Sequence, residues 1–263
     1  MLGARSGEDG TMETGTGTMA IRQNVARVRE RMEAACRRSG RRPEEVLLVA
    51  VTKTVPPERI REAYEAGLRH FGENRVQEAQ TKRAALTDLP LTWHLIGHLQ
   101  TNKAKAARDI FRWVHSVDSL RIADKLDQAV ERIASPSTER GAGNPEATGP
   151  IRLPVLIEVN LGEEATKSGI EEAAALELAS HIGRLATLEL RGLMLVPPYF
   201  DDPEKSRSYF SRLRELAKVI NSASLPGVRM DELSMGMSHD FEVAVEEGAT
   251  LIRVGTAIFG LRA

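Results

Sequence analysis

The chain has 263 residues, of which 28% are charged and 41% hydrophobic, and its formal net charge at pH 7 is −1. The length fits one large domain, such as an α/β barrel, or two small ones. The balanced charge argues against a nucleic-acid-binding protein and against a polybasic membrane anchor, and no apolar run approaches the ~20 residues of a membrane span. The single cysteine, Cys36, excludes an intrachain disulfide and a cysteine metal cluster. The amino terminus lacks the apolar segment of a secretory signal, so we expect a cytoplasmic protein.

Strands and helices alternate along most of the chain. Residues 1–18 are rich in glycine and threonine and are expected to form a disordered tail, and Met19 is a second candidate for the true start. A helix around 20–39 follows, with Cys36 on its apolar face as a small buried residue. Strands are predicted at 46–52, 68–71, 92–96, 113–117, 153–160, 188–195, 232–235 and 250–255. Helices are predicted between them at 57–66, 74–86, 101–109, 119–133, 169–186, 203–222 and 239–248.

Eight strand–helix units of this kind predict an α/β fold, a single (β/α)8 TIM barrel with parallel strands. The stretch 135–150 interrupts the alternation, and its glycine, proline and polar residues predict a mobile surface loop. A linker between two domains is the alternative. We favour one barrel domain over 19–263, because half-barrels rarely form packed units by themselves.

Lys53 follows the apolar run 46–52 of the first predicted strand. It shares its parity with Leu47, Val49 and Val51, so it is expected to be the last inward residue, at the end of the barrel where active groups collect. Desolvation favours the neutral amine, which is a nucleophile for aldehydes and is suited to a Schiff base. The alternative is a lysine that has left the core and reached solvent.

Arg253 is expected to point into the barrel from the eighth strand. It shares a face with Leu251 and Gly255, and closure of the barrel places this strand beside the first. A buried arginine is costly without an anionic or acceptor partner. That partner is either a bound anion or a core carboxylate such as Glu158 on the fifth strand.

Two loops of small residues, Ser234–Ser238 and Gly255–Thr256, follow the seventh and eighth strands. Barrels frequently bind phosphate at this location, where helix N-termini attract the anion, glycine allows close approach and hydroxyls add hydrogen bonds. The alternative is that Ser238 and Thr256 only cap their helices. Capping does not explain why both loops also carry glycine, at Gly236 and Gly255, so the phosphate hypothesis is favoured.

Other positions are candidates of lower specificity. Asn74 lies just past the second strand and either reaches the ligand or caps the next helix. Met194 is expected to pack under a flat ring, and His94 to be a hydrogen-bonded core residue rather than a catalyst. Glu158 and Asn160 are expected to form a hydrogen-bond network beneath the site. The six histidines show no metal-ligand spacing, and no Ser-His-Asp arrangement is evident.

An amine, a phosphate cradle and an arginine between them fit pyridoxal 5′-phosphate (PLP), which carries an aldehyde, a phosphate and a ring nitrogen. At this point the sequence resembles the pyridoxal-phosphate homeostasis protein family. The resemblance runs from about residue 20 to the C-terminus. It rests on seven ordered segments, which are 49–54, 71–78, 93–103, 158–160 with 167–169, 191–194, 233–238 and 253–260.

The resemblance implies a fold-type III PLP-binding barrel, like the N-terminal domain of alanine racemase, with an extra N-terminal helix and no C-terminal β-domain. It implies that Lys53 carries the cofactor as a Schiff base and that Arg253 faces either the ring nitrogen or the phosphate. It also implies a role in PLP homeostasis and delivery to PLP-dependent apoenzymes, without an established turnover. The implied phosphate contacts are Ser234, Gly236, Ser238, Gly255 and Thr256.

Two enzyme hypotheses compete with a carrier. One is a PLP-dependent racemase or lyase acting on amino acids, and the other is a Schiff-base aldolase in which Lys53 attacks a phosphosugar without a cofactor. The chain ends four residues after Phe259, so we expect no second domain to supply an acid/base group. An arginine at the ring nitrogen would also weaken the electron sink of PLP chemistry. Both points favour a carrier, which we expect to be a monomer.

Overall fold

The computed structural model describes residues 12–134, 152–162 and 168–260. Within these residues, eight parallel strands form a closed barrel, so the fold is the predicted (β/α)8 TIM barrel. The short strand β6 lies beside β5 and outside the closed ring. The strands are β1 (Leu47–Val51), β2 (His70–Glu73), β3 (Thr92–Leu95), β4 (Trp113–Val117), β5 (Leu153–Asn160), β6 (Ile170–Glu171), β7 (Leu188–Met194), β8 (Val228–Met237) and β9 (Leu251–Val254).

Helices alternate with these strands and cover the outside of the barrel. Their buried residues form one apolar layer with the outward side chains of the strands. They are α1 (Met12–Arg38), α2 (Pro57–Glu65), α3 (Val76–Ala85), α4 (Ala104–Ile110), α5 (Leu120–Ala134), α6 (Ala175–Ile182), α7 (Arg207–Ser222), α8 (Phe241–Glu246) and α9 (Thr256–Phe259).

The ring runs β4-β3-β2-β1-β9-β8-β7-β5 and closes where β4 pairs with β5. The first and last strands are therefore neighbours, as the sequence predicted. Val49 on β1 is in register with Arg253 on β9, and Ala50 is in register with Phe71 on β2. This pairing brings the chain after β1 next to the chain after β9.

A second, smaller apolar cluster lies inside the barrel. It consists of Val49, Leu156, Met194 and Leu251, with Trp113 packed against it. Side chains alternate between the inside and the helix layer along each strand, so these inward residues form the apolar floor under the carboxyl ends of the strands.

Helix α1 begins at Met12, eight residues before the predicted start at 20. Residues 12–18, which were expected in a disordered tail, therefore have helical backbone, while residues 1–11 lie outside the described residues. Once a helix has begun, each added residue gains one hydrogen bond, so it can extend past its apolar face. Cys36 is fully buried on that face, as predicted, and burial raises the pKa of its thiol.

The predicted helix at 169–186 is wrong in its first turns. Gly169 has a φ of +113°, and the chain then pairs with β5 as β6 before a 3-10 turn leads into α6. A periodic pattern cannot reveal this edge pairing, because Ile170 has the same apolar character in either structure. The predicted surface loop at 135–150 lies outside the described residues.

Two kinds of feature are absent from the described ranges of the chain. No helix there combines the length and the apolar character that crossing a bilayer requires. No three or more His, Cys, Asp or Glu side chains in those ranges are grouped so that they could hold a metal ion.

Candidate functional site

Lys53 lies two residues beyond the end of β1, and its side chain is half-buried. It stands at the carboxyl end of the barrel, where the connecting loops surround the mouth. Lys53 lies beyond the last residue of the strand, so its inward direction stays a prediction from the parity it shares with Val51 and Val49. The position combines partial desolvation of an amine with access from the mouth.

The backbone on both sides of Lys53 is fixed by hydrogen bonds. The Thr52 N–H donates to the Gly72 carbonyl at 3.0 Å, and the Thr54 N–H donates to Glu78 Oε1 at 2.5 Å. Thr54 has a φ of +63°, a conformation that costs a β-branched residue about 1–3 kcal/mol and is concentrated at functional sites. The neighbouring bonds stabilise this turn and fix the backbone from which the Lys53 side chain extends.

A buried ion cluster lies behind this turn, between the strands and α3. Lys82 Nζ donates to the Thr52 carbonyl at 2.5 Å, to Glu73 Oε1 at 2.7 Å and to Glu78 Oε1 at 2.6 Å. Thr52 Oγ1 also donates to Glu73 Oε1 at 2.6 Å. All three ammonium protons of Lys82 are therefore used, and two of its partners also bond to residues that flank Lys53.

The two carboxylates of this cluster have opposite pKa shifts. Burial raises the pKa of Glu73, against the hydrogen bonds from Lys82 and Thr52. Burial acts in the same direction on Glu78, but the hydrogen bonds from Lys82 and from the Thr54 N–H outweigh it, and the pKa of Glu78 is lowered. The surroundings therefore favour the ionised form of Glu78 more than that of Glu73.

Arg253 lies inside the barrel and is 3% exposed. Its guanidinium donates to Ser234 Oγ at 2.6 Å and to the Leu195 carbonyl at 2.9 Å. Burial lowers the pKa of Arg253 to about 10, while the charges of Glu158 and Asp240 oppose that shift.

The alternative partner for Arg253, a direct ion pair with Glu158, is not formed. Among the described residues, no carboxylate lies within ion-pair distance of this guanidinium. A buried cation whose direct partners are uncharged attracts an anion to its surroundings.

The loops after β8 and β9 meet through Ser238. Its Oγ accepts hydrogen bonds from the Gly255 N–H at 3.1 Å and from the Ala257 N–H at 3.2 Å. The predicted capping role of Ser238 therefore exists, but it acts on α9 rather than on the helix that follows Ser238. Thr256 makes no comparable cap, and its side chain is exposed beside this junction.

Packing favours glycine at two of the predicted phosphate positions, Gly236 at the end of β8 and Gly255 just after β9. A Cβ at Gly236, whose φ is +88°, would lie 2.5 Å from the Ala244 Cβ. A Cβ at Gly255 would lie 3.3 Å from the Val51 carbonyl oxygen. The prediction that these glycines admit a ligand is thus not needed to explain them, although they bring the loops close to β1 and α8.

The remaining predicted residues lie at different depths. Asn74 is half-buried just past β2 and does not cap α3, whose N-cap is Arg75. The Asn74 backbone packs so tightly on Gly97 that a Cβ there would lie 2.5 Å from the Asn74 carbonyl oxygen. Met194 is fully buried in the inner cluster, and Ser234 is fully buried next to Arg253.

Glu158 points into the barrel and is 7% exposed. Its Oε2 has no hydrogen-bond partner in the part of the chain that the structure describes, so the predicted network does not extend to this atom there. Burial and the charge of Asp118 raise the pKa of Glu158 to about 7, against the charges of Arg253 and His98. Asn160 instead accepts from the Gly162 N–H at 3.0 Å through Oδ1.

His94 is a hydrogen-bonded core residue, as predicted, and it is part of a row that the sequence did not reveal. Its two ring nitrogens lie 2.9 Å from His70 Nδ1 and 3.0 Å from His115 Nε2. Lys82 and Glu73 were not predicted from the sequence either. The i, i+4 spacing of Glu78 and Lys82 was a usable signal, whereas nothing local pairs histidines on separate strands.

Comparison with known proteins agrees with this geometry. The family model for the alanine racemase N-terminal domain matches residues 18–263. The pyridoxal phosphate homeostasis protein of Aquifex aeolicus is 44% identical over 240 residues, which are 91% of this chain and 97% of that protein. The protein of the same name from Pseudomonas aeruginosa is 44% identical over 242 residues, 92% of this chain and 96% of its own length.

A solved structure is similar over the same range. The structure of PipY from Synechococcus elongatus PCC7942 with PLP bound is 38% identical, with a TM-score of 0.76, and covers 91% of this chain and 100% of that one. The closed (β/α)8 fold and the family match together define a barrel of the alanine racemase N-terminal domain type. Within that class, the chain belongs to the pyridoxal phosphate homeostasis protein family.

Proposed function

We propose that this chain binds pyridoxal 5′-phosphate covalently through Lys53 and takes part in intracellular PLP homeostasis and delivery, without a robust catalytic turnover. The observation that carries the proposal is a half-buried amine just beyond β1 together with a buried guanidinium on the neighbouring strand β9, which no carboxylate of the described residues contacts directly. PipY, which has PLP bound in its structure, supports the identity of the ligand.

The residues present fit a ligand with an aldehyde and an anionic group. Lys53 supplies the amine, and Arg253 supplies a cation on the neighbouring strand β9. The Ser238 and Thr256 hydroxyls lie just after β8 and β9, whereas residues 234–237, predicted as a loop, are the last residues of β8. We propose that the phosphate binds at this end of the two strands. Asn74 and Met194 are proposed to complete the surroundings of the ring, from the end of β2 and from the floor.

When bound, PLP supplies an aldehyde that bonds to a lysine amine and a ring that can accept electrons. Lys53 would hold the cofactor, and the bonds at Thr52 and Thr54 would orient it. Arg253 would stay protonated and neutralise negative charge, and a cation at the ring nitrogen would keep that nitrogen unprotonated. That arrangement favours binding over turnover and is the physical argument for a carrier.

An absorbance spectrum tests the proposal. Purified wild-type protein is expected to show a visible band that borohydride removes, and Lys53→Ala is expected to lack it. Lys105→Ala is the matched control, because Lys105 is an exposed lysine on α4. A colourless wild type after incubation with PLP would contradict PLP binding, and amino-acid racemisation or transamination at ordinary enzyme rates would contradict the carrier role.

Further parts of the proposal concern the molecule in the cell. We propose that residues 19–263 form the PLP-binding domain, that the protein is a cytoplasmic monomer, and that PLP-dependent apoenzymes receive the cofactor. The net charge of −1 supports a protein that binds neither nucleic acid nor a membrane surface. Analytical ultracentrifugation of the purified chain checks the oligomeric state.

A further inference from the structure

Three histidines form a continuous hydrogen-bonded row inside the barrel. His70 Nδ1 lies 2.9 Å from His94 Nε2, and His94 Nδ1 lies 3.0 Å from His115 Nε2. His115 Nδ1 lies 2.9 Å from Ser234 Oγ, which accepts from Arg253 at 2.6 Å. The row thus crosses from β2 through β3 and β4 to β8 and β9.

The two ends of this histidine row differ in their exposure. His94, His115 and Ser234 are each 0% exposed, whereas His70 is half-buried at the first position of β2. His70 therefore lies at the amino-terminal end of the barrel, opposite the mouth. The row connects that end with the group that holds Arg253.

The three rings are neutral at ordinary pH. Burial lowers the pKa of His70, and burial together with the charge of His70 lowers the pKa of His94 to about 3. Burial, followed by the charges of His94 and Arg253, lowers the pKa of His115 well below its ordinary value. Each neutral ring has one N–H donor and one acceptor nitrogen.

This chemistry leaves two consistent proton arrangements. In the outward arrangement Ser234 donates to His115, and each ring donates from Nε2 to the next ring toward His70. In the inward arrangement each ring donates from Nδ1, and Ser234 accepts from both His115 and Arg253. Any mixture places two N–H groups or two lone pairs face to face, which costs the desolvation of a buried polar group.

We propose that His115, backed by His94 and His70, is a positioning residue that sets the direction of the Ser234 hydroxyl and the placement of Arg253. In the inward arrangement both acceptor sites of Ser234 are used, so its proton can only point away from the row. An acceptor bound near Ser234, such as an anionic cofactor, stabilises that arrangement. This last step rests on the proposed function, whereas the coupling of the rings does not.

Conversion between the two proton arrangements leaves the number of protons and the total charge of the row unchanged. When the outward arrangement converts to the inward one, the Ser234 proton moves to His115 Nδ1. The Nε2 proton of His115 then moves to His94 Nδ1, and that of His94 to His70 Nδ1. His70 releases its Nε2 proton to water. Ser234 Oγ takes up a proton from water or from a ligand in the mouth. One proton therefore enters at one end as another leaves at the other end.

Histidine ¹⁵N NMR of the ligand-free protein tests the coupling. The three rings are expected to be neutral near pH 7 and to carry their protons on the same nitrogen, all on Nε2 or all on Nδ1. Ser234→Ala is expected to change the ring resonances of His70 as well as those of His115. His181, which is paired with Asp124 on the helix layer, is the internal control and should not change.

Rings that carry their protons on different nitrogens would overturn the inference, as would a Ser234→Ala effect confined to His115. Addition of PLP to the wild type is expected to change all three rings together. If the wild type does not take up PLP, the proposed function fails, while the ligand-free spectra still decide the coupling.

A pair of variants at the far end of the row tests its effect on the site. His70→Leu removes the Nδ1 partner of His94, and PLP retention on dialysis is expected to fall roughly 2- to 10-fold, the worth of one hydrogen bond. His70→Asn keeps a donor and acceptor near the Nδ1 position and is expected to restore retention. Equal retention in wild type and His70→Leu would contradict a positioning role, and a melting temperature for each variant separates this effect from unfolding.

Discussion

The backbone that carries Lys53 depends on a lysine in the helix layer. Lys82 is 7% exposed in its side chain and joins Glu73, Glu78 and the Thr52 carbonyl. Removing one partner of a buried ion pair leaves uncompensated charge, which costs about 3–5 kcal/mol. Lys82→Met is therefore expected to lower the free energy of unfolding by about 3–5 kcal/mol in urea titrations.

A matched control exists at Lys218, whose ion pair with Glu215 is exposed. Lys218→Met is expected to leave the urea midpoint close to that of the wild type, because exposed ion pairs contribute little. If both variants shifted the midpoint equally, the buried cluster would not have the role assigned to it.

Glu158 makes stability depend on pH in a defined direction. Its pKa is raised from 4.5 to about 7, so the folded protein binds this proton more tightly than the unfolded chain does. The stabilisation is full below the ordinary pKa and is lost as the pH rises through about 7, a total of about 3 kcal/mol. Urea titrations between pH 4.5 and about 7 measure this loss of unfolding free energy, which Glu158→Gln is expected to remove. Parallel profiles of unfolding free energy against pH for the two proteins would contradict it.

In the loops after β8 and β9, one substitution is expected to affect both stability and PLP binding, and another only PLP binding. Ser238→Ala removes an acceptor of two backbone N–H groups and is expected to cost about 1–2 kcal/mol of stability and to release PLP faster. Thr256→Val changes an exposed side chain, so it is expected to leave the melting temperature unchanged while PLP dissociates roughly 10-fold faster. Unchanged dissociation in Thr256→Val would place the phosphate elsewhere.

The strand elements were predictable because buried parallel strands give short apolar runs between turn residues. The sequence placed β4 and β5 at their observed bounds and β1 within one residue at each end. It missed β6 and the early start of α1, which depend on an edge pairing and on helix extension. Neither feature produces a hydrophobic periodicity that the sequence could show.

For the molecule as a whole, the sequence predicted the barrel and the placing of its first and last strands side by side. Closure alone brings the first and last strands together, so that juxtaposition follows from topology. The histidine row could not be predicted, because strand stagger decides which side chains meet. Of the Lys82 cluster, only the i, i+4 spacing of Glu78 and Lys82 was visible in the sequence. Packing against Ala244 and Val51 is a second reason for glycine at Gly236 and Gly255, and ligand approach there stays a prediction.

The central claim is that the Lys53 amine is the attachment point for PLP. Incubation of the wild type with PLP, reduction with borohydride, proteolysis and mass spectrometry would locate the modified residue. The account predicts one label per chain, on the peptide that contains Lys53. A label on another lysine, such as Lys103, or no label at all would contradict it.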